Sequence, residues 1–156
     1  MKLNASLLTI SILSITSTTV FAGNETIDSF YQAKKLLMKH FYQYPENRVT
    51  IYCGAAFDAY KNIELPSGFD DSKFSSRSQR VEFEHIIPAE NFGRTFPEWR
   101  DGHSQCVKNG KSFKGRKCAE LVNEEYRLMQ ADAYNLYAAI GSVNALRSNY
   151  NFQMLL

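Results

Sequence analysis

Histidine is scarce in this chain of 156 residues: only His40, His85 and His103 occur. A zinc site built on several imidazoles is therefore hard to assemble, and no His-Glu-x-x-His pair is present. Cysteine is scarce too, and odd in number, with Cys53, Cys106 and Cys118. No apolar run beyond residue 22 is long enough to span a hydrocarbon core of about 30 Å. Charge of one sign is not in large excess either, with 18 Lys and Arg against 16 Asp and Glu. There is no internal repeat and no low-complexity tract.

The beginning of the chain is an address label. Lys2 supplies a positive start, Leu7 to Val20 is apolar except for Ser and Thr, and Val20-Phe21-Ala22 offers a cleavage site. Residues 1–22 thus read as a secretory signal peptide, against the rival reading of a membrane anchor, for which the run is short and diluted by hydroxyls. Residues 23–156 are the size of one domain. A soluble monomer in the periplasm or outside the cell is expected, with no membrane association after cleavage.

In an oxidising compartment disulfides are the default use of thiols. Cys106 and Cys118 are the natural pair, bracketing a polar, glycine-broken loop whose cross-linking would contribute about 3 kcal/mol. Cys53 is left over, as a free thiol, an intermolecular bridge, or half of a pair whose other member is not in this chain. The same region is basic: Arg94, Arg100, Lys108, Lys111, Lys114, Arg116 and Lys117 face only Glu98 and Asp101. Charge alone makes this a solvated loop by default, and a polyanion-binding surface as the sharper reading.

Hydrophobic spacing predicts an amphipathic helix over 25–43, and the β-branched and aromatic run 48–53 predicts a strand ending at Gly54. Residues 60–79 read as a connecting loop. Residues 80–86 alternate polar and apolar, the pattern of a half-buried strand stopped by Pro88. Residues 89–118 read as irregular, 119–129 as a short helix, 134–136 as a turn and 138–148 as a further helix.

His40 in the opening helix and His103 in the basic loop read as surface or packing residues. His85 stands apart: it ends a predicted strand, beside a carboxylate and just before a proline. A cysteine protease using Cys53 and His85 would need a local nucleophile signature, which is absent.

Phe83-Glu84-His85-Ile86-Ile87-Pro88-Ala89, then Gly115-Arg116-Lys117-Cys118, then Asp132-Ala133-Tyr134-Asn135-Leu136, then Ala139-Ile140-Gly141-Ser142-Val143-Asn144-Ala145-Leu146-Arg147-Ser148-Asn149-Tyr150 stand in the order of the endonuclease I family. The chain resembles that family from about Phe30 to its end. The resemblance implies an α+β fold around a ββα-metal (His-Me finger) core, with surrounding helices and a disulfide-pinned basic loop. It also implies a non-specific endonuclease hydrolysing the phosphodiester bonds of DNA, with RNA open as a second substrate.

By position in the family motifs, His85 corresponds to the general base, Asn135 to the residue that braces the finger and orients the imidazole, and Arg116 to the arginine that holds the cleaved phosphate. Glu84 and Asn144 correspond to the metal ligands, an oxygen set suited to Mg²⁺, with Mn²⁺ or Ca²⁺ as alternatives. Arg94, Arg100, Lys114 and Arg147 are expected at the nucleic acid. Adjacent strand residues point to opposite faces, so Glu84 and His85 serve one site only if the strand leaves regular geometry there. Taken alone, Glu84 reads as a surface carboxylate, Asn144 as a helix-surface amide and Arg116 as one loop cation among several. Members of the family continue past the Arg-Ser-Asn motif with further helices and cysteines, so a C-terminal part is expected to be missing here. The alternative of another class is therefore a truncated, secreted nucleic-acid-binding protein that does not cut.

Overall fold

Two of the sequence motifs meet in an antiparallel pair of strands. The structure, a computed structural model, describes residues 23–151. The expected signal peptide at 1–22 and the apolar run at 152–156 lie outside them. Strand β1 (Val81–His85) pairs with β4 (Leu136–Ile140), with Val81 opposite Ile140 and His85 opposite Leu136. Among the described residues no further strand joins this sheet; on the other edge of β1 the Val81 N–H donates to the Lys61 carbonyl at 3.0 Å and the His85 carbonyl accepts from Arg147 at 2.7 Å. Helix α7 (Gly141–Arg147) follows β4 directly, and the Gly141 N–H donates to the Arg80 carbonyl at 3.1 Å.

The alternation along β1 accounts for the core. Val81 joins Tyr42, Phe57, Ile63, Ala138 and Ile140 in one apolar cluster, and Phe83 packs against it. Helix α1 (Phe30–His40) closes the same side of the sheet, setting Ala33 against Ala131 and Leu136. Burial of such apolar area is the main force holding these layers together. A second cluster of Ala89, Phe92, Phe96, Ala119 and Tyr126 joins four short helices: α3 (Ala89–Gly93), α4 (Pro97–Arg100), α5 (Arg116–Val122) and α6 (Glu124–Gln130). The fold is α+β, and no described helix is long and apolar enough to cross a membrane.

Several elements differ from the sequence expectation, each for a local reason. The opening helix is shorter than 25–43. Ser29 caps it by accepting from the Gln32 N–H, while the Asn24 side chain folds the preceding residues by accepting from the Ile27 N–H at 3.0 Å. The strand expected at 48–53 is a tight turn: the Gly54 N–H donates to the Thr50 carbonyl and the Ala55 N–H to Thr50 Oγ1, leaving only the bridge Val49–Ala56. The helix expected at 119–129 starts at Arg116 and breaks at Asn123, whose side chain caps α6 by accepting from the Tyr126 N–H at 2.9 Å. The helix expected at 138–148 is strand as far as Ile140, because these residues pair with β1. The loop expected at 60–79 holds only one helical turn, α2 (Ser75–Ser78).

Residues 89–118, read as irregular, contain α3, α4 and a small hairpin of β2 (Val107–Lys108) and β3 (Lys111–Ser112). Its turn is Asn109-Gly110 with φ of 51° and 73°, left-handed at both positions, as a two-residue hairpin requires. Cys106 and Cys118 form a disulfide, both fully buried, and tie the hairpin to α5. Cys53 is exposed and free.

Candidate active site

The β1–β4 pair carries different chemistry on its two faces. Phe83 and His85 face α1, whereas Glu82 and Glu84, two residues apart, share the opposite face and meet α7. The break expected between Glu84 and His85 is absent: pairing is regular through His85, and the Ile86 N–H continues it by donating to the Asn135 carbonyl at 3.0 Å. The two faces reach one site by another route. A cavity of about 990 Å³ runs along β1 and is lined by His85 and Phe83, by Glu82 and Glu84, by α1, by Arg116 and by Asn144 of α7.

His85 is 7 % exposed. Its ring stacks on Phe30 with centroids 5.0 Å apart and meets Phe92 at 6.0 Å. Nε2 lies 2.9 Å from the Gln130 carbonyl oxygen. A carbonyl only accepts, so Nε2 carries the proton and Nδ1 keeps its lone pair. Burial, with Arg116, Arg147 and Lys34 nearby, pushes the pKa down to about 4, so the ring is neutral at pH 7.

Asn135 clasps the segment that follows. Its Oδ1 accepts from the Ile87 N–H at 2.8 Å and its Nδ2 donates to the Ile87 carbonyl at 3.1 Å. It braces the backbone just after His85, and the imidazole itself is held by Gln130.

On the other face Arg147 and Glu84 form a buried ion pair, with side chains 10 % and 2 % exposed. Arg147 also donates to the carbonyls of His85 and Ile86, both at 2.7 Å. Its guanidinium is thus turned inward and latches the end of α7 onto the end of β1. Burial raises the Glu84 pKa, while Arg147 and the Tyr52 hydroxyl pull it back. Burial, then the Glu84 charge, push Tyr52 up to about 12. Glu82 accepts from Arg77 through both oxygens and from Asn144 Nδ2 at 2.8 Å. Burial opposes its ionisation, yet these bonds outweigh it and hold its pKa below the ordinary value.

Among the described residues no three His, Cys, Asp or Glu side chains converge. The oxygen-bearing side chains along the cavity are Glu84, held by Arg147, Glu82, held by Arg77, and Asn144, whose nitrogen is turned to Glu82. An all-oxygen set of this size fits a hard divalent cation that keeps water and substrate oxygens as further ligands. Arg116 opens α5 after Gly115, has its guanidinium 5.3 Å from the Phe30 ring centroid, and lies beside the buried Tyr126 hydroxyl, whose pKa burial pushes up to about 12 and Arg116 pulls back.

Of the residues expected at the nucleic acid, Arg147 is the inward-turned latch, and Lys114 lines, with Arg116, a second, basic cavity of about 560 Å³ on the β2–β3 hairpin. Arg94 is exposed and paired with Glu90, and Arg100 donates to the carbonyls of Arg94 and Thr95. Neither lines the central cavity.

Four participants were not singled out from the sequence. Glu82 was findable, since the alternation that predicts β1 puts it on one face with Glu84. Phe30, Tyr52 and the Gln130 carbonyl carry no sequence signal, because they reach the site through tertiary packing alone.

Comparison with known proteins places residues 29–156 in the match to the Endonuclease I family model. An extracellular deoxyribonuclease of Aeromonas hydrophila is 32% identical over 151 residues, covering 94% of this chain and 57% of the relative. A periplasmic deoxyribonuclease of the same species is 30% identical over 151 residues, covering 94% and 56%. An Endonuclease-1 of Buchnera aphidicola subsp. Acyrthosiphon pisum is 32% identical over 136 residues, covering 84% and 48%. The chain spans about half the length of these relatives.

Proposed function

The chain belongs to the endonuclease I family, and from that membership we propose that it is a metal-dependent, non-specific endonuclease that hydrolyses phosphodiester bonds of DNA. Strands β1 and β4 with helix α7 are its ββα-metal finger. The observation that carries this reading is the fixed tautomer of His85: the Gln130 carbonyl takes the Nε2 proton and leaves Nδ1 as a neutral base in a cavity that also holds oxygen donors and Arg116.

His85 accepts a proton at Nδ1 from the water that attacks phosphorus. Phe30 stacks the ring in place, and Asn135 fixes the backbone that follows it. Glu84 and Asn144 would hold the divalent cation. Mg²⁺ is the default for this donor set, with Mn²⁺ or Ca²⁺ as alternatives, and when bound it supplies a Lewis acid for charge on the phosphoryl and leaving oxygens. Arg116, on the wall of the same cavity, donates to a non-bridging oxygen of the cleaved phosphate, for which a planar guanidinium is suited. All these groups address the sugar–phosphate backbone, which carries no base identity, hence the lack of sequence preference.

The Aeromonas relatives are named extracellular and periplasmic proteins. The same placement is proposed here, and the buried Cys106–Cys118 disulfide agrees with an oxidising compartment.

The test is degradation of plasmid DNA, and of RNA in parallel, by the purified oxidised chain with Mg²⁺ or with chelator. Cutting only with metal is expected. Salt-sensitive binding without cutting, at any divalent ion, would replace the nuclease with a non-catalytic nucleic-acid-binding protein.

A further inference from the structure

One face of helix α1 packs against the core. The rest lines the central cavity. Lys34, Lys35 and Lys39 of α1 line one wall, and Arg48 and Lys61 also line it. Among the described residues the acids lining this cavity are Glu82 and Glu84, already paired with Arg77 and Arg147. Glu82 also attracts Lys34, so two carboxylates, both engaged by arginines, face the five cations Lys34, Lys35, Lys39, Arg48 and Lys61. Helix α1 contains no Asp or Glu, and Lys35 and Lys39 stand at i and i+4, a like-charge spacing that costs the helix a few tenths of a kcal/mol.

Lys34 sits closest to the chemistry: its Nζ is 4.4 Å from the centroid of Phe30, the ring stacked on His85. Burial, and then the charges of Lys61 and Arg116, lower its pKa, the response of a cation among cations. From Lys34 to Lys39 the helix advances about 7.5 Å, roughly the rise of two nucleotides along one strand.

Resting on the nuclease reading, we propose that the face of α1 bearing Lys34, Lys35 and Lys39, with Lys61 and Arg48 in the same groove, is the track that holds the sugar–phosphate backbone of the nucleic acid leading into the site. Arg116 lines both this groove and the cavity on the disulfide-pinned hairpin, so the substrate is gripped from helix α1 as well as from the basic loop.

The experiment is fluorescence anisotropy of a labelled DNA duplex with the full chain in chelator, from about 50 to 200 mM salt. The chain is compared with a Lys34→Gln/Lys35→Gln/Lys39→Gln variant and with a Lys108→Gln/Lys111→Gln/Lys114→Gln variant, each checked by thermal melting. Loss of three phosphate contacts makes the plot of log K against log salt shallower by about 2 to 3 units in the α1 variant. An α1 variant that melts like the parent and keeps its salt slope overturns the track, whatever the hairpin variant does. A parent chain that binds with the expected slope change but never cuts upholds the track and sinks the nuclease. A parent chain that cuts while the α1 variant keeps the slope sinks the track alone.

Discussion

At the scale of single residues, one main-chain carbonyl decides which nitrogen of His85 keeps its lone pair, and burial keeps the ring neutral. The folded chain holds this ring below its ordinary pKa of 6.5, down to about 4. The unfolded chain takes up the proton as the pH falls through 6.5, and the folded chain does so only near 4. The contribution of His85 to stability is therefore complete above pH 6.5 and is lost between 6.5 and 4, about 3 kcal/mol in all. Urea unfolding at pH 7 and pH 4.5 should show the parent losing about 2 to 3 kcal/mol more than His85→Gln. Arg147 gives a second prediction. Arg147→Met strands the buried Glu84 carboxylate and should cost about 3 kcal/mol in urea unfolding at pH 7, with a smaller loss at pH 4, where Glu84 takes a proton.

The elements set these residues in place, and their junctions are tighter than their lengths suggest. A Cβ on Gly141 would lie 2.5 Å from the Arg77 carbonyl and 2.9 Å from Glu82 Oε1. Gly141→Ala should therefore displace the start of α7 and loosen the Arg77–Glu82–Asn144 chain, costing about 1 to 3 kcal/mol and weakening Mg²⁺-dependent cutting; thermal melting and plasmid nicking read the two effects. Removal of the disulfide as Cys106→Ala/Cys118→Ala should cost about 3 kcal/mol, read by urea unfolding of the oxidised parent and the variant. The same junctions show what was legible in the sequence. Alternation at 80–86 predicted β1, and polar cysteine-bracketed residues predicted the disulfide, because both are local patterns. The hairpin was legible in Asn109-Gly110 but was read as irregular, since its strands are only two residues each. Residues 138–140 were read as helix because a short apolar run does not distinguish strand from helix, and only pairing with β1 decides it. At 48–53 β-propensity lost to a turn closed by Thr50.

Across the whole molecule, a net charge of only +2 conceals a division of labour. Acids near the site are consumed by buried or half-buried arginines, and lysines line the groove that a polyanion would enter. His85, Glu84 and Asn144 were expected from motif order and lie around one cavity. The way Glu84 and His85 share it, from opposite faces of a regularly paired strand instead of through a broken one, required the tertiary structure. The most direct measurement is the single-turnover rate of DNA cutting by His85→Gln in Mg²⁺, with duplex affinity measured alongside. The Gln side chain can still donate to the Gln130 carbonyl but offers no base. The predicted result is a rate lower by about 10² to 10⁴ with affinity unchanged, and a variant that cuts at the parental rate would contradict His85 as the base.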